Sequence, residues 1–549
     1  MITKHKYDVW GTVTILITLF YVAFLVVPLG MIFYQAFFDK ETHMLTMDYF
    51  IKFFSNKYYF MTLLNSLAVS LSVTVLAVLI GVPLGYFFAV YRIRGKRFME
   101  VLILIASVSA PFIGAYSWIL LFGRSGVVTA ALSTIGIEMP SIYGFWGIVL
   151  VLTFRMFPLI FLYVQGAMKN VDESLLEASE SLGRTKIQTF FTVVLPLITP
   201  TILAGSLLVF MRAMSDFGTP MLIGGGYRTF PALIYTQFMS EISGDDGFAS
   251  TIAIIAIILM AIIFMVQRLA ANKFSFKMNA LHPVTISEHT NWSKVLVHIF
   301  TYVTIAIAII PQVYVIYTSF KNTNGLIFVD GYSFMSYTQA FDKLGSSIWN
   351  TIRIPAIALL VIVLFSILIA YVTVRRRTKA TGALDIVSMI PYIVPGSVIG
   401  IAFSITYRNP WFTVPGLALM LIALVLRRMQ YTIRSSVATL SQIPISTEEA
   451  AISLGASKFK TFFSVTMPMM SAGIISGAIL SWISLITELS SSIILYTTKT
   501  QTLTVAIYSQ VLRGNYGIAA ALSTILTVLT IISILISMKV SDGRKKEKN

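Results

Sequence analysis

Two carboxylates stand inside apolar stretches of the chain: Asp216 in LLVFMRAMSDFGTP and Glu488 in ISLITELSSS. Ionisable groups at membrane depth are costly, and those retained usually face a cavity or a partner. As hard oxygen donors, this pair could line a path that favours a cation. They could also serve as proton carriers. Ser490, Ser491 and Ser492, with Thr487, place hydroxyls beside Glu488. Such hydroxyls either line a polar channel or let helices approach closely. Arg212 lies four residues before Asp216, so these two could instead pair along one helix face. Ser484 holds the same place before Glu488 and offers no such partner.

A second constellation occurs twice. Glu177-Ala178-Ser179-Glu180-Ser181-Leu182-Gly183 opens a polar segment that closes at Leu195-Pro196. Glu449-Ala450-Ala451-Ile452-Ser453-Leu454-Gly455 opens another that closes at Met467-Pro468. The two align without a gap at an offset of 272, with 11 of 20 positions identical. The same offset carries Arg155 onto Arg427 and Asp216 onto Glu488. A repeat of this length marks an internal duplication, a common way to build a transporter about a pseudo-two-fold axis. Each segment reads as a short helix, a turn at Gly183 or Gly455, and a second short helix. Glycine suits the turn because positive φ costs it little. Phe190-Phe191 and Phe462-Phe463 give the second helix an apolar face, opposite Lys186, Thr189, Lys458 and Thr461. An element of this kind lies along a membrane surface or in a partner's groove.

Other chemistries find little support. There is no cysteine, which excludes disulfides, thiolate metal sites and cysteine nucleophiles. His5, His43, His282, His289 and His298 are scattered, with no pair at metal-ligand spacing, so no stable metal site is expected. No catalytic residues and no resident cofactor are expected. Gly95-Lys96-Arg97 lacks both the upstream glycine and the hydroxyl residue of a phosphate-binding loop.

The elements that must position these residues are membrane spans. Of 549 residues, 57% are hydrophobic and 11% charged, against about 25% charged in soluble domains. Apolar blocks of roughly 20 residues recur, the length needed to cross a bilayer as helix. They predict an all-α polytopic membrane protein with about twelve spans, near 9–35, 62–90, 99–122, 143–166, 196–220, 249–270, 294–319, 350–374, 383–406, 411–431, 470–495 and 515–538. Pro and Gly interrupt the third, ninth and tenth, and Pro111, Pro391 and Pro395 are expected to break or kink their spans. The net charge of +17 would suggest nucleic acid in a soluble protein, but here basic loops on one side of the membrane account for it. Arg92, Arg94, Lys96 and Arg97, then Arg375, Arg376, Arg377 and Lys379, then Arg427, Arg428 and Arg434, place those loops and both termini in the cytoplasm. On this reading Arg155 and Arg427 sit near cytoplasmic span ends and anchor topology. The first apolar run is expected to be a retained span, since it lacks a small-residue cleavage site. The polar stretch 272–293 divides the chain into a first six-span half at 1–271, a cytoplasmic linker and a second half at 294–549. Six spans in each half with the same charge orientation make the repeat parallel.

The duplicated segments resemble the EAA loops of bacterial type I ABC importer permeases: Glu-Ala-Ala, then Gly, then a closing Pro. The second copy matches closely; the first departs at Ser179 and Arg184, where that family favours small residues. The fused twelve-span arrangement, with Glu488-Leu489-Ser490-Ser491-Ser492 and Thr502-Leu503-Thr504-Val505-Ala506-Ile507-Tyr508, is similar to the ferric-iron permease group. The resemblance implies coupling helices: Glu177, Ala178 and Gly183 would meet one ATP-binding subunit, and Glu449, Ala450, Ala451 and Gly455 a second copy. It implies an extracytoplasmic substrate-binding protein, ATP used only by the partner subunits, and a place in a bacterial plasma or inner membrane in contact with lipid, with no nucleic acid. Asp216, Glu488, Ser490 and Ser491 would line the path. Ferric iron is the expected cargo; phosphonates, phosphate esters, thiamine or polyamines are the alternatives in related permeases. A gradient-driven carrier is the competing class.

Overall fold

The computed structural model describes residues 9–39, 42–108, 111–239, 246–273, 282, 292–324, 327–376, 378–408 and 414–546. Among these, eleven helices are long and apolar enough to span a membrane, and a bent pair makes a twelfth. The bent pair is the ninth expected span. Lys379–Ile393 and Gly396–Tyr407 meet at 105°, where Pro395 supplies no backbone donor to continue the helix. The third is also divided, into Lys96–Val108 and Pro111–Phe122, with Pro111 opening the second piece. The tenth is not broken: Gly416–Gln442 is one continuous helix.

The spans pack through small residues, as expected where lipid gives helices little hydrophobic reason to associate. Gly81 and Gly85 lie on Lys57–Val90 against Phe145–Met168. A Cβ at Gly81 would stand 2.7 Å from the Ile160 Cβ and 2.9 Å from the Phe157 carbonyl, and one at Gly85 2.7 Å from Val164. The second half repeats the device. Gly473 and Gly477 on Met467–Ile486 meet Gly416–Gln442, where added Cβ atoms would stand 2.7 Å from the Ser435 carbonyl and 2.5 Å from the Thr432 Cα.

The first helix of each half packs on the other half. Val9–Phe37 reaches across to the second half, where the Tyr21 hydroxyl contacts the Met429 sulfur at 2.9 Å and the Tyr407 hydroxyl donates to the Ala23 carbonyl. Trp10 packs tilted against Tyr371 and edge-on to Phe462, with ring centroids 4.3 and 4.8 Å away. Conversely, Trp292–Thr318 leans on Lys96–Val108 and Pro111–Phe122 of the first half, and the Tyr302 hydroxyl donates to the Arg94 carbonyl at 3.2 Å. A short antiparallel hairpin, Lys321–Asn324 with Ile327–Tyr332, follows that helix. Phe38 and Leu45 form the corresponding bridge in the first half.

The fifth and eleventh spans end earlier than expected. Their helices, Leu195–Met214 and Met467–Ile486, stop just before the two carboxylates. Two short buried helices follow each: Gly218–Ile223 and Phe230–Met239, then Ser492–Leu495 and Leu503–Leu512. Most of the expected linker at 272–293 lies outside the described residues. Helices reach into it at both ends, to Lys273 and from Trp292. His282 is described, and its backbone closes onto the first half: its N–H donates to the Asp172 carboxylate at 3.2 Å and its carbonyl accepts from the Glu173 N–H at 2.8 Å.

Candidate functional site

The two carboxylates lie where a long helix gives way to a short one. Asp216 Oδ1 accepts from the Thr219 N–H at 2.9 Å, and Glu488 Oε1 accepts from the Ser491 N–H at 3.0 Å and the Ser491 hydroxyl at 3.1 Å. Each thus closes the turn and satisfies backbone donors that the break leaves open. The two sites match at the 272 offset in acid and in donor position.

Their charge is met from another span, not along the same helix. Arg155 donates to Asp216 at 2.7 Å, and Arg427 donates to Glu488 at 2.5 Å. Arg428 also donates to Glu488. This corrects three expectations. Arg155 lies ten residues into Phe145–Met168 and Arg427 eleven residues into Gly416–Gln442. At about 1.5 Å per residue, that is roughly 15 Å from the helix start, in mid-span and not at a basic membrane edge. Arg212 does not pair with Asp216. And Glu488 has two cationic partners where none was expected. Both carboxylates are buried, at 8% and 3% exposure. Neither is a free oxygen ligand facing the space between the halves. Ser491 is occupied, its N–H and hydroxyl both donating to Glu488, and Ser490 is half-buried beside Gly396.

Arg427 fits only because position 396 is glycine. A Cβ there would stand 2.3 Å from Nη1 of the guanidinium. The break at Pro395-Gly396 thus makes room for the charge that the eleventh span needs. Arg212 takes a different route. It is exposed, and it reaches the Tyr431 hydroxyl of the second half at 3.5 Å. Tyr431 also contacts Arg428 and Ser484. Sequence reasoning placed Arg428 in a basic cytoplasmic loop, whereas it lies within Gly416–Gln442, and it passed over Tyr431; neither has a counterpart in the first half, where Met156 and Leu159 stand at the equivalent positions.

At the other end of the spans, the duplicated segments form matched surface elements. Glu173–Ser181 and Ser446–Ser453 each end in a glycine of positive φ, +84° at Gly183 and +90° at Gly455. The next residue bonds back across the turn: Arg184 N–H to the Ser179 carbonyl and Ala456 N–H to the Ala451 carbonyl. This is the glycine-terminated helix end that satisfies orphan carbonyls. Thr185 and Ser457 cap the second short helices, Lys186–Thr189 and Lys458–Thr461, and a single π-turn, Phe190–Val194 or Phe462–Thr466, joins each to its long span. Glu177, Ala178, Glu449 and Ala450 are exposed, and Ala451 is half-buried. The leucines before each glycine protrude furthest, Leu182 at 83% and Leu454 at 90% exposure.

Each element is braced differently. In the first half Ser179 is buried and its hydroxyl bonds Thr189 at 2.9 Å, so the departure from alanine ties the two short helices together. In the second, Glu448 is buried and accepts from Arg375 at 2.8 Å and from the Tyr371 hydroxyl at 3.3 Å, while Arg375 also donates to the Ile443 carbonyl at 2.9 Å. Among the described residues, no group of three His, Cys, Asp or Glu side chains is placed to hold a metal ion.

The acid-capped fifth spans and the paired loops recur in register, and a family model recurs with them. The model of the binding-protein-dependent transport system inner membrane component matches residues 81–275 and again 362–546. The chain belongs to this family. It is a multi-pass membrane permease of the importer type, with both permease units fused in one chain. It is 27% identical over 555 residues to the ferric transport system permease protein FbpB of Actinobacillus pleuropneumoniae, covering 97% of this chain and 78% of that one. It is also 27% identical over 513 residues to the putative ferric transport system permease protein FbpB 1 of Haemophilus influenzae, covering 90% and 79%. The molybdenum transport system permease protein ModB of Escherichia coli is 31% identical over 212 residues, 37% of this chain and 91% of that one. The latter is of the length of one half, as a duplicated permease predicts.

Proposed function

We propose that this permease carries ferric iron inward, and that two copies of a separate ATP-binding subunit drive it. The observation that carries the drive is the matched pair of exposed loops. Each presents a carboxylate, a small residue beside it and a protruding leucine on a braced, glycine-terminated helix. A carboxylate can make a charge-assisted bond to a partner's cation, and a protruding apolar side chain can fill a pocket. Iron rests on the two ferric permeases, which align over nearly the whole chain. An extracytoplasmic binding protein would deliver the cargo, and both termini would be cytoplasmic. ATP would be used by the partner subunits alone. Asp216, Glu488, Ser490 and Ser491 would shape the path as a buried frame. A gradient-driven proton carrier fits less well: protonating Asp216 or Glu488 would leave a guanidinium uncompensated inside the membrane.

Uptake of radioactive ferric iron by cells with and without this chain tests the cargo. Glu177→Lys and Glu449→Lys test the drive: each should abolish uptake and reduce co-purification of the ATPase. Normal uptake in both variants would sink the docking assignment, and chain-independent iron uptake would sink the cargo.

A further inference from the structure

The carboxylates between the halves are outnumbered. Among the described residues Arg155, Arg427 and Arg428 pair with Asp216 and Glu488, and Arg212 bonds the Tyr431 hydroxyl with no carboxylate partner. Two of these arginines belong to the duplicated frame. Arg155 with Asp216 and Arg427 with Glu488 recur at the 272 offset, balance in charge and close the same turn in each half. The other two are unique to one half. Ser484 stands where the second half would repeat Arg212, and Met156 where the first would repeat Arg428. The architecture therefore does not require them, since each half builds its frame without one. Yet both meet at Tyr431, across the junction of the halves. Arg212 is exposed in mid-protein. The groups acting on it are the hydroxyls of Tyr431, Tyr392 and Tyr163, with no carboxylate among them. The Nε–H groups of Arg427 and Arg428 are buried without an acceptor.

We infer that the space between the halves is a binding site for a solute of net negative charge, and that iron crosses as ferric ion wrapped in anionic oxygen ligands. This inference rests on the importer reading of the preceding section. The surplus of two positive charges repels a bare trivalent cation and attracts an anionic complex. Guanidinium groups suit the task because they present planar N–H donors to carboxylate or phosphate oxygens. Arg212 is the contact residue, and Tyr431 fixes its direction.

The test uses cells making the full transporter, given radioactive iron as the chelate of carbon-labelled citrate in buffer free of phosphate. Labelled molybdate forms a parallel arm. The expected result is that citrate label enters with iron, at about one citrate or more per iron. Arg212→Glu should lower uptake at least about tenfold, and Arg212→Lys less than about threefold, with both chains as abundant in the membrane as the parent. Iron entering without citrate label, or at the parent rate in Arg212→Glu, would overturn the inference and leave the iron reading intact. Equal loss in Arg212→Lys and Arg212→Glu would make the residue structural and overturn its assignment as the contact. Entry of molybdate or citrate without iron, lost in Arg212→Glu, would support the anionic site and overturn the iron reading. No chain-dependent entry in any arm would overturn both.

Discussion

Glu488→Gln is the sharpest probe of the buried frame. Glutamine keeps the side-chain length and an oxygen for the Ser491 N–H, so the turn-closing bonds survive in form. What is lost is the charge that compensates both Arg427 and Arg428. Glu488 is 3% exposed and the two arginine side chains 12% and 19%, so water replaces little of that compensation. Removing one partner of a buried pair costs about 3–5 kcal/mol, and two guanidinium groups orphaned by one substitution place this variant at the upper end. Asp216→Asn orphans one arginine whose side chain is 21% exposed, so its cost belongs at about 3 kcal/mol or below. Arg428→Met copies the first half and leaves Glu488 compensated by Arg427, so it orphans no buried charge and should cost well below about 3 kcal/mol. Combined with Glu488→Gln it should recover part of the loss. The assay is thermal denaturation of the detergent-solubilised chain, followed by the fraction that stays monodisperse after heating. The expected order of midpoints is parent, Arg428→Met, Asp216→Asn, then Glu488→Gln. A midpoint for Glu488→Gln at or above that of Asp216→Asn would refute the claim that one carboxylate compensates two charges. So would a double variant no better than Glu488→Gln alone.

Four further outcomes follow from the geometry. Gly85→Leu drives a side chain into Val164 and the Phe161 carbonyl, 2.7 and 3.1 Å from the added Cβ; packing of the second and fourth spans should fail, read as loss of the chain from the membrane fraction, whereas Gly30→Leu, with open space around it, should be accepted. Gly455→Ala forces φ of +90° on an L side chain, at about 1–2 kcal/mol; iron uptake should fall several-fold while membrane abundance holds. Leu182→Asp or Leu454→Asp places a charge on the protruding tip of one loop, and ATPase co-purification should drop in each, with the double variant at background. Glu448→Gln loosens Arg375 and Tyr371 from the second loop only; protease sensitivity should rise at 446–456 and stay unchanged at 173–184.

The sequence made the scaffold legible because its signals are local or periodic. Span count follows from runs of apolar residues, and the break at Pro395-Gly396 from proline's missing donor. The glycine turns and the duplication were readable for the same reason. The ends of the fifth and eleventh spans were not. Hydropathy continues through Phe217 and Met221 because the short helices that follow are also buried, so an apolar window cannot separate a continuing span from a chain that turns. Partner choice was illegible too. Arg212 four residues before Asp216 is a local pair on paper, but the helix ends at Met214, and Asp216 leaves the face on which that spacing holds. Its true partner is 61 residues earlier. The offset that carried Arg155 onto Arg427 and Asp216 onto Glu488 already held the clue, because two residues duplicated together in opposite charge are candidates to meet.

The same offset separates what the fold needs from what was added to it. A duplicated chain begins with two equal halves, and each feature that survives in both is bound to the shared architecture: the acid at the end of the fifth span, its arginine in the fourth, the glycine turn of the loop. Arg212, Arg428 and Tyr431 violate the repeat, and they do so at one place, where the halves face each other. A symmetric frame offers two equivalent surfaces to a solute that is not itself symmetric. Adding Arg212 from one half, and Arg428 with Tyr431 from the other, breaks that equivalence, while Arg155–Asp216 and Arg427–Glu488 keep the form that the halves share. Substituting the repeat-breaking residues should therefore alter which solute passes, with the fold intact. Substituting the repeated pairs should unmake the fold before selectivity can be measured.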